Sequence, residues 1–302
     1  MTSNKRVCID GRVITEQLHG IARYTNELIS SLKNVDTNGL EFLVLLNHNC
    51  NTKNFVQEKN LNFKFVDIQP YTIIEQFKIP VILKKEKIDL YHLPSYGFPY
   101  FTPCKSIVTI HDMMHYFMLG KKKPLHYHYY NIFVRKAIKA SSTVFTDSNF
   151  SKNEIVKFYG VDPGNIKVVY LQIDKDFIQL AQNEKKKSAF NHQEYLVSIT
   201  NKFAHKNCWK LLVAFSELIQ EGLLDINLVL FGKLNSMAES YLRSCTENVK
   251  ERIRIYDKSS DREMISVIKG AKLFVFPSLY EGFGLPPNRR GSMKPSSHLS
   301  CA

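Results

Sequence analysis

Short apolar runs alternate with longer amphipathic stretches along most of the chain. In the first half the runs are Val7 to Asp10, Phe42 to Asn47, Phe63 to Ile68, Leu90 to Leu93, Ser106 to His111, Val144 to Asp147 and Lys167 to Leu171. Each has the length of a strand rather than a helix. Helices fit between several of them, at Ile21 to Lys33, Leu125 to Lys139 and Lys152 to Tyr159. The third carries a capping box, with Ser151 as N-cap and Glu154 three residues on, and Gly160 as its stop. A polar, Lys-rich stretch, AQNEKKKSAFNHQ, follows at 181–193 and reads as a linker region, or an exposed turn close to it.

The alternation then starts afresh. Strands Tyr195 to Thr200, Asn227 to Phe231, Arg254 to Tyr256 and Leu273 to Phe276 interleave with helices Cys208 to Gln220, Met237 to Asn248 and Arg262 to Lys269. Ser260 and Glu263 form a second capping box. The expected organisation is a Rossmann-like domain at 1–180, the linker at 181–193, a partial second domain at 194–287 and a polar tail at 288–302. Strands alternating with helices imply an α/β class of mostly parallel, doubly wound sheets. Ligands of such sheets sit beyond the carboxyl ends of the strands, so the residues just after each strand are the candidates.

Composition narrows the partners. With 41 Lys and Arg against 28 Asp and Glu, the net charge of +13 favours acidic ligands: nucleic acid, anionic lipid or phosphorylated small molecules. The basic residues fall in short runs such as Lys121 to Lys123 and Lys185 to Lys187, without a zinc-finger spacing, which ranks nucleic acid last. Six widely spaced cysteines fit buried thiols in a reducing compartment. MTSNKRVCID has no apolar stretch of signal-peptide type, and no window approaches the roughly 18 apolar residues of a membrane span. A cytoplasmic protein is expected. Lysines and aromatics mix over Lys121 to Lys139, where Tyr127, Tyr129, Tyr130 and Phe133 suit either an anionic membrane surface or a helix packing its aromatics inward.

Four segments follow predicted strands with chemistry-bearing residues. Gly20 opens a helix, where a glycine lets an anion approach unpaired N–H groups, or simply ends a loop. His111 closes a strand and can donate to a sugar hydroxyl or a phosphate, or serve as a structural histidine. Asn201 and Lys206 lie between a strand and a helix; the lysine can neutralise a diphosphate or stand solvated, and Gly232-Lys233 is a weaker signal of the same kind. In FPSLYEGFGLPP, Glu281 can accept from sugar hydroxyls while the backbone of Gly282, Phe283 and Gly284 donates to phosphate. His126 and His128 lack a spaced carboxylate or cysteine partner, so no metal site is expected.

Taken in order, IDGRV...HGIARYT, HLPSYGFP, SIVTIHD, TDSNFSKNEIVKFYGVDPGNIKVVY, AHKN and FVFPSLYEGFGLPP resemble the retaining glycosyltransferases of family four, also called glycosyltransferase group 1, over roughly residues 5 to 287. The resemblance implies the GT-B fold of two Rossmann-like domains. It implies a nucleotide-diphosphate sugar as co-substrate, no cofactor or metal, and a saccharide or lipid-linked acceptor in polysaccharide or lipopolysaccharide assembly. Carried over, Gly20 approaches the donor diphosphate, His111 the donor sugar, and Lys206 the leaving diphosphate. Asn201 stands where many members carry an arginine. Glu281 matches the first glutamate of the family's E-x7-E motif, with Gly282, Phe283 and Gly284 against the sugar and phosphate.

The second glutamate of that motif falls at 289, where this chain has Arg289 within NRRGSMKPSSHLSCA. An arginine accepts no hydrogen bonds from a ribose. The composition change motivates the expectation of a frame lost just after Pro287, an incomplete second domain, an unpaired edge at Leu273 to Phe276 and low solubility. Impaired transfer is expected in consequence, and the alternative is an inactive remnant with weak ligand binding. Reading the coding DNA in its other frames tests the lost frame, and finding no glutamate-bearing helix there would sink it.

Overall fold

The computed structural model describes residues 5–15, 20–33, 36–37, 39–50, 60–95, 97, 99–114, 116, 124–171, 175–191, 193–283 and 300–301. The chain divides into two compact units, Met1–Leu171 and Gln172–Ala302.

The first unit is built on strands β1 (Arg6–Asp10), β2 (Glu41–Asn47), β3 (Leu61–Val66), β4 (Leu90–Leu93), β5 (Lys105–Thr109), β6 (Thr143–Thr146) and β7 (Ile166–Val168), with helices α1 (Gly20–Leu32), α2 (Glu75–Lys85), α3 (Pro124–Ala140) and α4 (Asn149–Tyr159). All pairings are parallel, in the order β3-β2-β1-β4-β5-β6-β7. Leu43 to Leu46 of β2 are buried without a break, as a strand covered on both faces requires. The helix after β6 begins at Asn149, earlier than its sequence suggests. Its N-cap is Ser148, not Ser151: Ser148 is extended and its hydroxyl accepts from the N–H of Ser151. Gly160 closes the helix in the left-handed region at φ 62°. Helix α2, which the apolar pattern does not announce, contains Pro80.

The second unit holds helices α5 (Lys175–Asn183), α6 (Cys208–Gln220), α7 (Ser236–Ser244), α8 (Glu247–Glu251) and α9 (Asp261–Gly270) with strands β8 (Tyr195–Ile199), β9 (Asn227–Phe231), β10 (Ile253–Tyr256), β11 (Leu273–Phe276) and β12 (Ser300–Cys301). The order is β10-β9-β8-β11-β12, again parallel throughout. Alternate residues of β9 feed two cores. Val229 and Phe231 join Phe177, Tyr195, Ile265 and Phe274, whereas Leu228 and Leu230 join Leu212, Phe215, Ala238 and Val249. Ser260 caps α9 by accepting from the N–H of Glu263. The one long helix expected over Met237 to Asn248 is two, α7 and α8, broken at the extended Cys245 and Thr246.

Two further expectations are corrected. The run at 181–193 is not a free linker but part of the second unit. Phe177, Ala181, Ala189 and Phe190 are buried in its core, the Tyr195 hydroxyl donates to the carbonyls of Val267 (2.7 Å) and Lys187 (3.0 Å), and Lys269 Nζ donates to Glu184 O at 2.8 Å. The edge of β11 is also not bare, since Val275 and Phe276 pair with Ser300 and Cys301 of β12. A two-residue ladder uses backbone groups alone, so the polar tail needs no apolar period to supply it.

One buried charge cluster locks the first unit. Arg12 Nη2 lies 2.7 Å from Asp10 Oδ2 and 3.0 Å from Glu75 Oε2, while Nη1 donates to Ile68 O at 3.3 Å. The Tyr91 hydroxyl donates to Asp10 Oδ2 at 2.5 Å, and Tyr71 N–H donates to Glu75 Oε1 at 3.1 Å. Asp10, Arg12, Glu75 and Tyr91 are all at most 2% exposed. One guanidinium thus ties together the loop after β1, the segment after β3 and α2, and its partner Asp10 extends the cluster to β4 through Tyr91. Burial pushes the Asp10 carboxyl up, but the charge and hydrogen bonds of Arg12 and the Tyr91 hydroxyl outweigh it and hold the group below its ordinary value. Burial dominates at Glu75, which shares only the remainder of Arg12, and its carboxyl is pushed up to about 7.

Removing the cation leaves the Asp10 carboxylate buried without a counter-ion and Glu75 without its partner. Arg12→Met is therefore expected to cost about 3–5 kcal/mol in urea unfolding of the first unit. The folded chain holds the Glu75 proton up to about pH 7, whereas an unfolded chain releases it near 4.5. Folding then takes up a proton between those values, so stability falls as pH rises through that window, by on the order of 3 kcal/mol at most. Glu75→Gln should remove this slope, and an identical slope in the variant would show that Glu75 is not its source.

Candidate functional site

In the first unit, the candidate residues gather beyond the carboxyl ends of β5 and β6. Strand β5 pairs Thr109 with Phe145 of β6, and the same offset of 36 residues brings His111 level with Asp147. His111 Nδ1 lies 2.7 Å from Asp147 Oδ2, and Nε2 lies 3.3 Å from Pro94 O beyond β4. Both side chains are buried, at 10% and 5% exposure. The Ser151 hydroxyl donates to His111 O at 2.9 Å, so the start of α4 holds the backbone as Asp147 holds the ring. Tyr24 of α1 meets the ring edge-on at 4.6 Å, and its hydroxyl lies 3.3 Å from Thr109 Oγ1. This contact ties α1, which Gly20 opens, to His111. Gly20 is exposed, and nothing lies within 4 Å of where a Cβ would stand. Behind them His92 Nε2 contacts Thr109 Oγ1 at 2.9 Å; burial and the neighbouring His111 push its pKa down to about 4. Asp147, Tyr24 and Pro94 are the members that sequence reasoning missed. Aligning the ends of two successive parallel strands would have found the first.

In the second unit, the sequence candidates collect on two loops. β8 and β11 are neighbours, so the loops that follow them lie side by side. Lys206, in the 3-10 turn Ala204–Lys206, places Nζ 2.5 Å from Glu281 Oε1 and 5.2 Å from the centre of the Phe276 ring. The two side chains are 10% and 24% exposed, so the pair is held but reachable. Leu279 N–H donates to His205 O at 2.8 Å, fastening one loop to the other. Gly232, after β9, supports the arrangement: at φ 107° a Cβ would stand 2.1 Å from Thr200 O, so the residue entering the Lys206 loop is packed against a position that only glycine fits. Asn201 belongs to the same loop, but its Oδ1 accepts from Phe203 N–H at 2.9 Å and so braces the turn. Gly282 and Phe283 follow Glu281 directly and are half-buried; Gly284 and Arg289 lie outside the described residues. Lys233 stands apart, lining a cavity of about 720 Å³ between α7 and β10 with Leu242, Arg243 and Ile255.

Comparison with known proteins identifies the family and the fold. The sequence model for Glycosyltransferase Family 4 matches residues 18–177, and that for Glycosyl transferases group 1 matches residues 181–287. The chain belongs to glycosyltransferase family 4. Among curated relatives of this family 4 chain, O-antigen chain mannosyltransferase B of Escherichia coli is 24% identical over 224 residues, covering 72% of the chain and 58% of that protein. O-antigen chain mannosyltransferase RfbU of Salmonella typhimurium is 25% identical over 189 residues, covering 60% of the chain and 47% of that protein. The family 4 chain thus spans about half the length of these relatives. Its fold is that of WaaG, a glycosyltransferase involved in lipopolysaccharide biosynthesis, with a TM-score of 0.65 at 14% identity over 95% of this chain and 79% of that one. Sucrose-phosphate synthase from Thermosynechococcus elongatus superposes with a TM-score of 0.70 at 12% identity over 98% and 81%. The architecture is GT-B.

A carboxylate only accepts hydrogen bonds, so the Asp147 contact places a proton on His111 Nδ1. Nitrogen-15 NMR of the labelled ring should show Nδ1 protonated at neutral pH. Asp147→Leu should shift the ring toward the Nε2–H form, whose proton Pro94 O still accepts; an unchanged signal would mean that Asp147 does not set the ring.

Proposed function

We propose that this family 4 chain is a retaining glycosyltransferase that moves a sugar from a nucleotide-diphosphate sugar onto a saccharide or lipid-linked acceptor in the assembly of a cell-surface polysaccharide. The observation that carries the reading is the Lys206–Glu281 pair, an ammonium and a carboxylate side by side beyond neighbouring strands. When the bond between the anomeric carbon and the phosphate oxygen breaks, negative charge builds on the departing diphosphate. Lys206 is placed to stabilise it, with no reorganisation needed at the moment of reaction. Glu281 accepts from sugar hydroxyls, and the backbone N–H groups of Gly282, Phe283 and Gly284 complete the cradle. On the first unit His111, held by Asp147, meets the donor sugar, and the uncovered start of α1 at Gly20 admits phosphate oxygens. Asn201, whose side chain braces its own loop, contributes to donor binding through that loop.

The O-antigen mannosyltransferases among the relatives support the polysaccharide setting. The donor serves as co-substrate, and no cofactor or metal enters this reading. Among the described residues, the free thiols Cys8, Cys50, Cys104, Cys208 and Cys245 support a cytoplasmic site of action. Among the described residues no helix is long and apolar enough to cross a membrane. Arg289 stands where the resemblance places a ribose-holding glutamate, and it offers donors where acceptors are needed. Donor retention is therefore weak and transfer impaired.

Transfer and donor hydrolysis should be measured against a panel of nucleotide-diphosphate sugars, mannose donors included. Lys206→Ala and Glu281→Gln are each expected to lower the rate about 10²–10³-fold while leaving the melting curve in place. Arg289→Glu is expected to tighten donor binding by calorimetry. A chain that neither binds nor turns over any donor of the panel would end this reading.

A further inference from the structure

Helix α7 lines two cavities of the second unit and turns its charges toward one of them. On the side of β10, Glu239 and Arg243 face the cavity that Lys233, Lys250 and Asp257 also line. On the side of α6, Ser236, Met237, Ser240, Tyr241 and Ser244 meet Trp209 around a groove of about 550 Å³. Among the described residues no charged side chain lines this groove, although the chain as a whole carries a net charge of +13. Between the two faces, Ala238 is buried in the core with Leu212 and Phe215 of α6, which fixes the helix against its neighbour. Of the other aromatic-rich stretch, Lys121 to Lys139, the residues Lys121, Lys122 and Lys123 and the side chains of Tyr127, Tyr129 and Tyr130 lie outside the described residues.

The lining of the groove selects its ligand. Trp209 and Tyr241 are half-buried, packed on the core of Leu212, Leu230 and Val249 while their remaining ring surface faces the groove. Among the described residues neither Trp209 Nε1 nor the Tyr241 hydroxyl has a hydrogen-bond partner, so a donor and a phenol are left for a ligand. Ser236, Ser240 and Ser244 recur at four-residue spacing, which sets three exposed hydroxyls along the helix at intervals of about 6 Å. The Ser244 hydroxyl donates to Tyr241 O at 2.7 Å and keeps its acceptor lone pairs. A phosphorylated ligand finds no cation here. A purely apolar one would cover the serine hydroxyls without bonding them, which costs free energy. A saccharide chain is neutral, lays the C–H faces of its rings on aromatic side chains, and exchanges hydrogen bonds with hydroxyls along its length. We propose that the groove between α6 and α7 binds a neutral oligosaccharide, as a holding site for glycan apart from the Lys206–Glu281 pair. The choice of a saccharide rests on the transferase reading, in which acceptor and product are glycans. Trp209 lies in the first turn of α6, just after the turn that carries Lys206, so a chain held there stays on the unit that holds the donor.

Trp209 is the one tryptophan of the chain, so its emission reports on this groove directly. The full chain is titrated with mannotetraose and with maltotetraose, without any donor. At least one of them is expected to shift the emission saturably in the millimolar range. Tyr241→Ala should weaken that binding about fivefold or more, the loss of one aromatic contact. Because Tyr241 also packs on the core, Ser240→Arg serves as the second variant: the position is exposed, and the new side chain fills and charges the groove. It should weaken binding about tenfold with the melting curve unchanged. Lys206→Ala should bind the tetrasaccharide as the parent does. No saturable shift with either tetrasaccharide, or a shift that Ser240→Arg leaves unchanged, would overturn the proposal. So would binding lost in Lys206→Ala, which would place the sugar at the reaction site, or a shift given by hexanol and by neither tetrasaccharide, which would give the groove to an apolar ligand. Failure of the transferase reading is seen separately, as a chain that neither binds nor turns over any nucleotide sugar, and it leaves this titration readable.

Discussion

The charged pairs of both units owe their place to one constraint, the reversal of strand order in a parallel sheet. In the first unit β1 leads outward to β2 and β3 on one side, and the chain then returns to lay β4 on the other. In the second, β8 leads to β9 and β10 and the chain returns with β11. Loops leaving the two strands at such a point depart in opposite senses and leave an opening above the carboxyl ends that neither covers. In the second unit Lys206 and Glu281 come from the two loops at that opening and meet although 75 residues separate them. In the first, Asp10 ends β1, Arg12 follows it and Tyr91 belongs to β4, and the same opening is filled by charge.

The contrast between these two clusters separates architecture from chemistry. Arg12 is 2% exposed and satisfied by two carboxylates and a carbonyl, so a ligand would have to displace a complete network to reach it. Lys206 meets one carboxylate and one aromatic face, and Glu281 keeps about a quarter of its side chain open. An ion pair that solvent can reach exchanges partners at small cost, whereas a sealed one does so only at the expense of the fold. His111 sits between these cases. Its ring is buried beyond β5 and β6, where Asp147 holds it, yet Tyr24 of α1 and Pro94 after β4 link it to the two sides of the opening.

The strands were legible in the sequence because a parallel strand covered on both faces is apolar throughout, as Leu43 to Leu46 and Leu228 to Phe231 are. The loops that carry Lys206 and Glu281 were legible for the same reason, because they leave the carboxyl ends of such strands. The features that stayed hidden are non-local or lack a side-chain signal. Nothing near Asp147 announces His111, and nothing near Arg12 announces Glu75, since each pairing exists only once the register is set. Ser148 and Ser151 are equivalent on paper, and the end of β6 decides which of them caps. The run at 181–193 is polar because it lies on the surface of the second unit. It is fixed there by Tyr195 and Lys269, which bond its carbonyls and leave no pattern in its side chains. The β12 ladder is likewise a backbone event.

Helix α2 shows why a pattern can mislead. It has apolar residues on two faces, and Pro80 removes one N–H from its interior, so its sequence has neither the single stripe nor the uninterrupted backbone of an ordinary amphipathic helix. Its rotation is set by Glu75, whose carboxyl group is buried and reaches Arg12 and the N–H of Tyr71. With Glu75 turned inward, Ile79 and Leu83 follow it one and two turns on, and Ile73, Phe77 and Val81 are carried to the outside. The buried charge cluster therefore does more than hold the first unit together. By withdrawing the helix's one carboxylate, it leaves an outer face that is apolar and purely cationic, and no rotation of α2 could hide that face without breaking the contact with Arg12.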